Sequence, residues 1–189
     1  MVLPIIAYGD PILKKRALEI EKNYPDLQKL IADMFETLEN AIGVGLAAPQ
    51  IGLPIRLFVV DASPFEDEEP ELKNFKKVFI NAEIIEENGK EWLFNEGCLS
   101  FPGIREDVYR KPEITIRYFD ENFVEHVDKI KGYAARVIQH ENDHINGVVF
   151  IDKINSLKKQ LIRRRLNNIL AGNVDVKYKT KFVLSKRKI

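Results

Sequence analysis

Residues 139–144 read QHENDH and hold two of the three histidines in this 189-residue chain. Histidines four apart lie on one face of a helix. Their imidazoles can share one metal ion there. Glu141 follows His140 by about 100° of helical rotation, so it can lean toward a water on that metal without being a ligand. The pattern is His-Glu-x-x-His, two ligands and one general base. It demands a helix, and GYAARVIQHENDHING (132–147) is expected to be one, closed by Gly147. The competing reading is a surface helix that carries the three residues by chance.

Two protein ligands are too few for a catalytic metal. The longer pattern HExxHxxGxxH places Gly147 on its glycine but Phe150 on its last ligand, and no glutamate follows position 141. The third ligand is therefore upstream or an aspartate, leaving Cys98, His126, Asp152 and Asp175. Cys98 is preferred. It sits in NEGCLSFPG (95–103), where glycines and a proline make an irregular segment that can bring a thiolate to the helix. Sulfur with imidazole suits Zn2+ or Fe2+. The alternative for Cys98 is a small buried hydrophobe. His126 lies mid-strand near Val124 and Val127 and reads as structural or superficial.

Along the chain, 26–42 carries apolar side chains at helical spacing, with Pro25 and Asp26 at its start. Segments 55–61, 77–86, 112–119 and 123–130 read as strands. The acidic stretch 63–75, with Pro64 and Pro70, reads as an exposed loop. Residues 156–170 form a basic amphipathic helix, 173–184 alternate enough for a late strand, and SKRKI reads as a frayed end. The expected fold is α+β, with mixed or antiparallel sheets packed around a central HExxH helix, an N-terminal helix and a C-terminal basic helix. One catalytic domain is expected over 1–172, with a basic extension over 173–189.

Net charge is zero, yet from Lys153 onward twelve lysines and arginines face one acid, Asp175. Such a tail suits a polyanionic partner, with a solvated helix face as the alternative. The opening residues lack the charge and apolar length of a signal peptide. No run approaches a membrane span. One cysteine excludes an intramolecular disulfide. A cytoplasmic protein with no membrane association is expected.

Three stretches then line up: GVGLAAPQ (43–50), EGCLS (96–100) and QHENDH (139–144). Together they resemble the peptide deformylases, whose motifs GxGxAAxQ, EGCxS and QHExDHxxG occur in that order. The resemblance runs from near Leu3 to about Leu170. It implies an enzyme that hydrolyses the formyl group from formyl-methionine at the start of nascent peptides, releasing formate. It implies that Cys98, His140 and His144 hold one metal, Fe2+ natively, with Zn2+ or Ni2+ in preparations. It makes Glu141 the general base and then acid. Gln50 would offer its side-chain amide, and Leu99 its backbone N–H, to the formyl oxygen, with Gly45 beside the substrate backbone. For Gln50 the residues alone favour a loop-bracing amide, and the motif reverses that. Val44, Phe94, Tyr133 and Val137 are candidate walls of a methionine pocket, with ordinary core packing as the alternative. Arg105 matches a position where the family often has arginine near the substrate. Glu96 and Asp143 are candidates to orient the ligands. A monomer is expected. The basic tail gains a candidate partner in ribosomal RNA, through Lys158, Lys159 and Arg163 to Arg165.

Two rival readings differ in class. A general zinc peptidase would cut internal peptide bonds. An RNA-binding module with a structural metal would fold with metal but not turn over. The glutamate beside the first histidine argues against the module, because a structural site has no use for a base there.

Overall fold

In chain order the elements are strand β1 (Ile5–Ile6), helix α1 (Leu27–Asn40) and strands β2 (Gly45–Ala47), β3 (Leu57–Asp61) and β4 (Lys76–Asn88). Strands β5 (Trp92–Gly97), β6 (Arg105–Arg110), β7 (Glu113–Phe119) and β8 (Glu125–Lys131) follow. Helices α2 (Gly132–Ile145) and α3 (Ser156–Leu170) precede the last strand, β9 (Thr180–Lys181). This is a computed structural model, and it describes residues 1–183.

Five strands make one sheet in the order β2-β3-β4-β7-β8, every neighbour antiparallel. β5 and β6 form a separate antiparallel pair, and β1 and β9 a short parallel one. The expected α+β class is what the chain adopts, and of the mixed or antiparallel sheets expected around the HExxH helix the main one is antiparallel throughout. β3 shows why it layers this way. Successive strand side chains point to opposite faces. Phe58 and Val60 pack with Ala134, Ala135 and Ile138 of α2. Leu57 and Val59 pack with Ile31, Met34 and Leu38 of α1. An uninterrupted apolar run is what a strand covered on both faces requires.

α2 is the central element. Eleven of its fourteen residues are buried, which disposes of the chance surface helix. It ends at Ile145, and Gly147 takes a left-handed φ of 74° just beyond, where a Cβ would press on the Lys14 carbonyl.

Several elements differ from expectation. Asp26 precedes α1 but is left-handed and makes no side-chain cap. Strands β5 and β6 were not expected, because buried positions in them hold Glu96 and Arg110, which satisfy each other and break the apolar alternation. The acidic stretch 63–75 is not a simple exposed loop. It forms two 3-10 turns, Ser63–Phe65 and Pro70–Leu72, buries Leu72, and stacks Phe65 on Tyr133. The late strand shrinks to Thr180–Lys181, and residues 173–179 are irregular. Position 184 and the expected frayed end SKRKI lie outside the described residues. Among the described residues no helix is long and apolar enough to cross a membrane.

Candidate active site

α2 carries Arg136, His140 and His144 along one side, each four residues on, with Glu141 beside them. Strand β5 crosses this side and supplies Glu96, which is 5% exposed. The Glu96 carboxylate accepts from Arg110 Nε (2.7 Å) and Nη2 (2.9 Å), and from Arg136 Nη1 (2.9 Å). It also lies 3.0 Å from His140 Nδ1. Burial alone would raise its pKa, but the bonds from His140 and Arg110 outweigh that and hold it well below the usual carboxylate range. Arg110 also donates to Asp143 at 2.8 Å, so one guanidinium ties the strand pair to α2 at a second point on the same face. A carboxylate fixed on Nδ1 leaves Nε2 of His140 for the site.

Cys98 follows β5 directly. It opens a turn in which the Phe101 N–H donates to the Cys98 carbonyl at 2.8 Å. The turn brings Cys98 Sγ to 3.3 Å from His144 Nε2. Donor atoms of Cys98, His140 and His144 all lie within 4.8 Å of one another. Ligand atoms of a tetrahedral ion at about 2.0–2.3 Å stand about 3.4–3.6 Å apart, so the three fit one small divalent cation. Burial lowers the pKa of His140, yet Cys98 and Glu96 outweigh this and bring it above the usual imidazole value. His144 is pushed well down by burial and by His140.

Of the other ligand candidates, Asp152 pairs with Lys14 and caps the Val149 N–H, and Asp175 is exposed. His126 lies 2.9 Å from Asp120 and stacks on Tyr118, a hairpin role as expected.

Glu141 is 4% exposed, and its Oε2 has no hydrogen-bond partner among the described residues. Burial pushes its carboxyl up to about 7, against opposing pulls from His140 and Arg110. β2 runs across it so closely that a Cβ on Gly45 would sit 2.4 Å from Glu141 Oε1. Gln50 serves both of its candidate roles. Its Oε1 accepts from the Ala47 N–H at 2.8 Å, bracing the turn. Its Nε2 faces the site, 3.5 Å from Cys98 Sγ and 3.3 Å from Ser100 Oγ.

These groups open into a cavity of about 430 Å³ lined by Val44, Gly45, Phe94, Leu99, Arg105, Val137 and others. Tyr133 is the exception among the expected walls. It stands behind Phe94, ring centroids 5.6 Å apart, and stacks at 4.8 Å on Phe65, which takes the wall position instead. One turn before Val137 on α2, Tyr133 points at the acidic segment, a neighbour that spacing could not supply. Arg105 lies at the rim and is folded down onto Asn95, with Nε 3.0 Å from the Asn95 side-chain oxygen.

Residues 2–160 match the family model described as polypeptide deformylase. The chain belongs to the polypeptide deformylase family. The peptide deformylase of Christiangramia forsetii is 56% identical over 99% of both chains. That of Flavobacterium psychrophilum is 56% identical over 99% of this chain and all of its own. The crystal structure of the Ehrlichia chaffeensis peptide deformylase with actinonin superposes with a TM-score of 0.81 at 34% identity, covering 92% of this chain and 99% of that one. As a deformylase the chain is a metal-dependent hydrolase that removes the formyl group from the N-terminal methionine of nascent peptides.

The sequence reading of this deformylase missed Arg110, Arg136, Phe65, Ser100 and Tyr178. Arg136 left a signal: it lies four residues before His140 on the same helical face, so it had to be buried with an acid. Ser100 left one as well, as the last residue of the EGCLS motif; Arg110, Phe65 and Tyr178 left none, because strand register and loop path bring them in.

Proposed function

We propose that Cys98, His140 and His144 hold one divalent ion, and that Glu141 carries the proton that deformylation must move. The supporting observation is the three donor atoms within 4.8 Å beside an unpartnered Glu141 oxygen. A divalent ion there supplies a Lewis acid that polarises the formyl carbonyl and lowers the pKa of a neighbouring water. Glu141 takes the water's proton at Oε2 and returns it to the leaving amine. Gln50 Nε2 and the Leu99 N–H donate to the formyl oxygen as negative charge builds. Gly45 lies beside the substrate backbone, and its missing side chain leaves room for the Glu141 carboxylate. Val44, Phe94 and Val137, joined by Phe65, receive the methionine side chain, and Arg105 faces the peptide at the rim. Glu96 and Asp143 hold the histidine helix in register through Arg110.

The native ion is Fe2+, with Zn2+ or Ni2+ able to occupy the same donors. Thiolate donation from Cys98 weakens the Lewis acidity of any ion, and Fe2+ tolerates this better than Zn2+. Equal turnover of the pure Fe2+ and Zn2+ forms under anaerobic conditions rejects that preference. Peroxide should inactivate the Fe2+ form by oxidising the thiolate.

The enzyme works as a cytoplasmic monomer, with 1–172 as catalytic domain and 173–189 as extension. It meets its substrates at the ribosome through α3. Arg163 and Arg164 are exposed there, whereas Lys158 faces Glu106 and Asp107 and Arg165 donates to the Gly103 carbonyl. Cutting the chain after Asn155 would strip Ile162, Leu166 and Ile169 from the core. Charge reversal, R163E with R164E, is the cleaner test. Ribosome binding should weaken while activity on short peptides stays, and undiminished binding rejects the contact.

Formate release from a short formyl-Met peptide, by protein purified without oxygen, tests the whole reading. Glu141→Ala should abolish it while metal stays bound. Equal turnover in the variant would remove Glu141 from the mechanism.

A further inference from the structure

Tyr178 lies beyond the segment that matches the family model. After α3 the chain turns at Gly172 and runs back along the N-terminal strand. The Ile5 N–H donates to the Lys179 carbonyl at 2.8 Å, and the Ala7 N–H to the Lys181 carbonyl at 2.9 Å. This register sets Tyr178 against the cysteine turn. Its ring packs in the cluster that holds Leu99, Leu46 and Met34, and it lines the active-site cavity. Its hydroxyl donates to the Leu99 carbonyl at 2.7 Å.

The location of that bond matters. The Phe101 N–H closes the turn on the Cys98 carbonyl, so Leu99 and Ser100 are its central residues. The peptide joining two such residues is the one whose rotation interconverts type I and type II turns. Its neighbours are pinned: the Ser100 carbonyl by the Tyr8 N–H at 2.8 Å, and Ser100 Oγ by Gln50. The oxygen of the central peptide itself is the Leu99 carbonyl, which Tyr178 holds.

We propose that Tyr178 is a positioning residue for deformylation, locking the central peptide of the Cys98–Phe101 turn so that Cys98 Sγ and the Leu99 N–H keep their place against α2. The proposal rests on the roles assigned above to Cys98 and Leu99. It makes the C-terminal extension a working part of the active site, through a strand pairing between the two ends of the chain.

The test is Tyr178→Phe in the full chain, which removes the hydroxyl and keeps the ring. Steady-state kinetics on a formyl-Met peptide and the visible spectrum of the Co2+-substituted protein are read together. One hydrogen bond lost at a site of this kind should lower kcat about two- to tenfold. KM should stay within about twofold, because uniform substrate binding is untouched. The thiolate-to-cobalt absorption should shift, since it reports the geometry at Cys98. An unchanged spectrum, or a rise in KM at constant kcat, overturns the proposal and leaves Tyr178 a tail anchor or pocket wall. A fall in melting temperature with kcat and spectrum unchanged overturns it equally. Should the wild type release no formate, the deformylation reading fails, while the cobalt spectrum still decides whether Tyr178 holds the cysteine.

Discussion

Gly45 and Glu141 meet where β2 crosses α2, and a single methyl group is enough to disturb them. A Cβ at Gly45 would lie 2.4 Å from Glu141 Oε1, so Gly45→Ala must displace the carboxylate. A misplacement of about 1 Å can cost about a hundredfold in rate. The expected result is that loss in kcat/KM with metal content unchanged, and wild-type turnover would show that the carboxylate has room to spare. Glu96 is the second sensitive residue. Glu96→Gln leaves Arg110 and Arg136 buried, 3% exposed at each side chain, without their shared anion. Breaking a buried pair costs about 3–5 kcal/mol. With His140 as a ligand, as proposed, loss of the carboxylate on its Nδ1 should lower metal affinity about 10–100-fold. Thermal melting and metal competition should both show the change, and unchanged metal affinity would reduce Glu96 to a packing role. Of these residues, His140, Glu141 and His144 were legible from spacing alone, since helix geometry fixes their relation. Glu96 was legible only as a candidate, because its two arginine partners come from another strand and another turn of the helix.

Among the elements, α2 depends on a segment that reads as loop. Gly132 begins it with a left-handed φ of 64° and no side-chain cap from Lys131. The Glu69 carboxylate fills that place, accepting from the Tyr133 N–H at 3.1 Å, where a negative charge suits the helix N-terminus. Glu69→Ala should cost about 0.5–2 kcal/mol, as loss of an N-cap does, read as a lower urea midpoint. A midpoint unchanged within error would show that the acidic segment does not hold the helix. The β7–β8 hairpin offers a pH signature. Burial raises the Asp128 pKa, but bonds from Lys77 (2.9 Å) and Tyr118 (2.8 Å) overcome this and bring it below its usual value. The stabilisation is therefore full above the unfolded pKa of about 3.9 and fades as pH falls through the lower folded value. Asp128→Asn should be less stable than wild type at neutral pH, with the gap closing below about pH 4. A gap that stays constant down to about pH 2 rejects the linkage.

At the scale of the whole molecule, the metal site joins β5, the cysteine turn and α2, so occupancy should stabilise the fold. Binding to the native state alone contributes about 2.7 kcal/mol when free metal is about a hundred times its dissociation constant. Chelation should lower the melting temperature of wild type and of Glu141→Ala alike, since the role proposed for Glu141 is that of a base and not a ligand. Cys98→Ser should lose the metal-dependent shift. An equal shift in Cys98→Ser would remove the cysteine from the ligand set.

The sequence determined what is local. Helical spacing places two imidazoles and a carboxylate on one side of α2, and apolar periodicity sets α1, β3 and the strands of the main sheet. Three short motifs were enough to name the chemistry. Tertiary structure alone decided how Cys98 reaches His144 across 46 positions of chain, and why Glu96 and Arg110 are inside. It also decided that Phe65 replaces Tyr133 in the pocket wall, and that Tyr178 returns to the cysteine turn. The physical reason is common to all four. A helix fixes neighbours through its own backbone, so residue type and spacing suffice. Strand register, loop path and the pairing of β1 with β9 depend on contacts between distant segments, and each of those contacts forms only when the rest are in place.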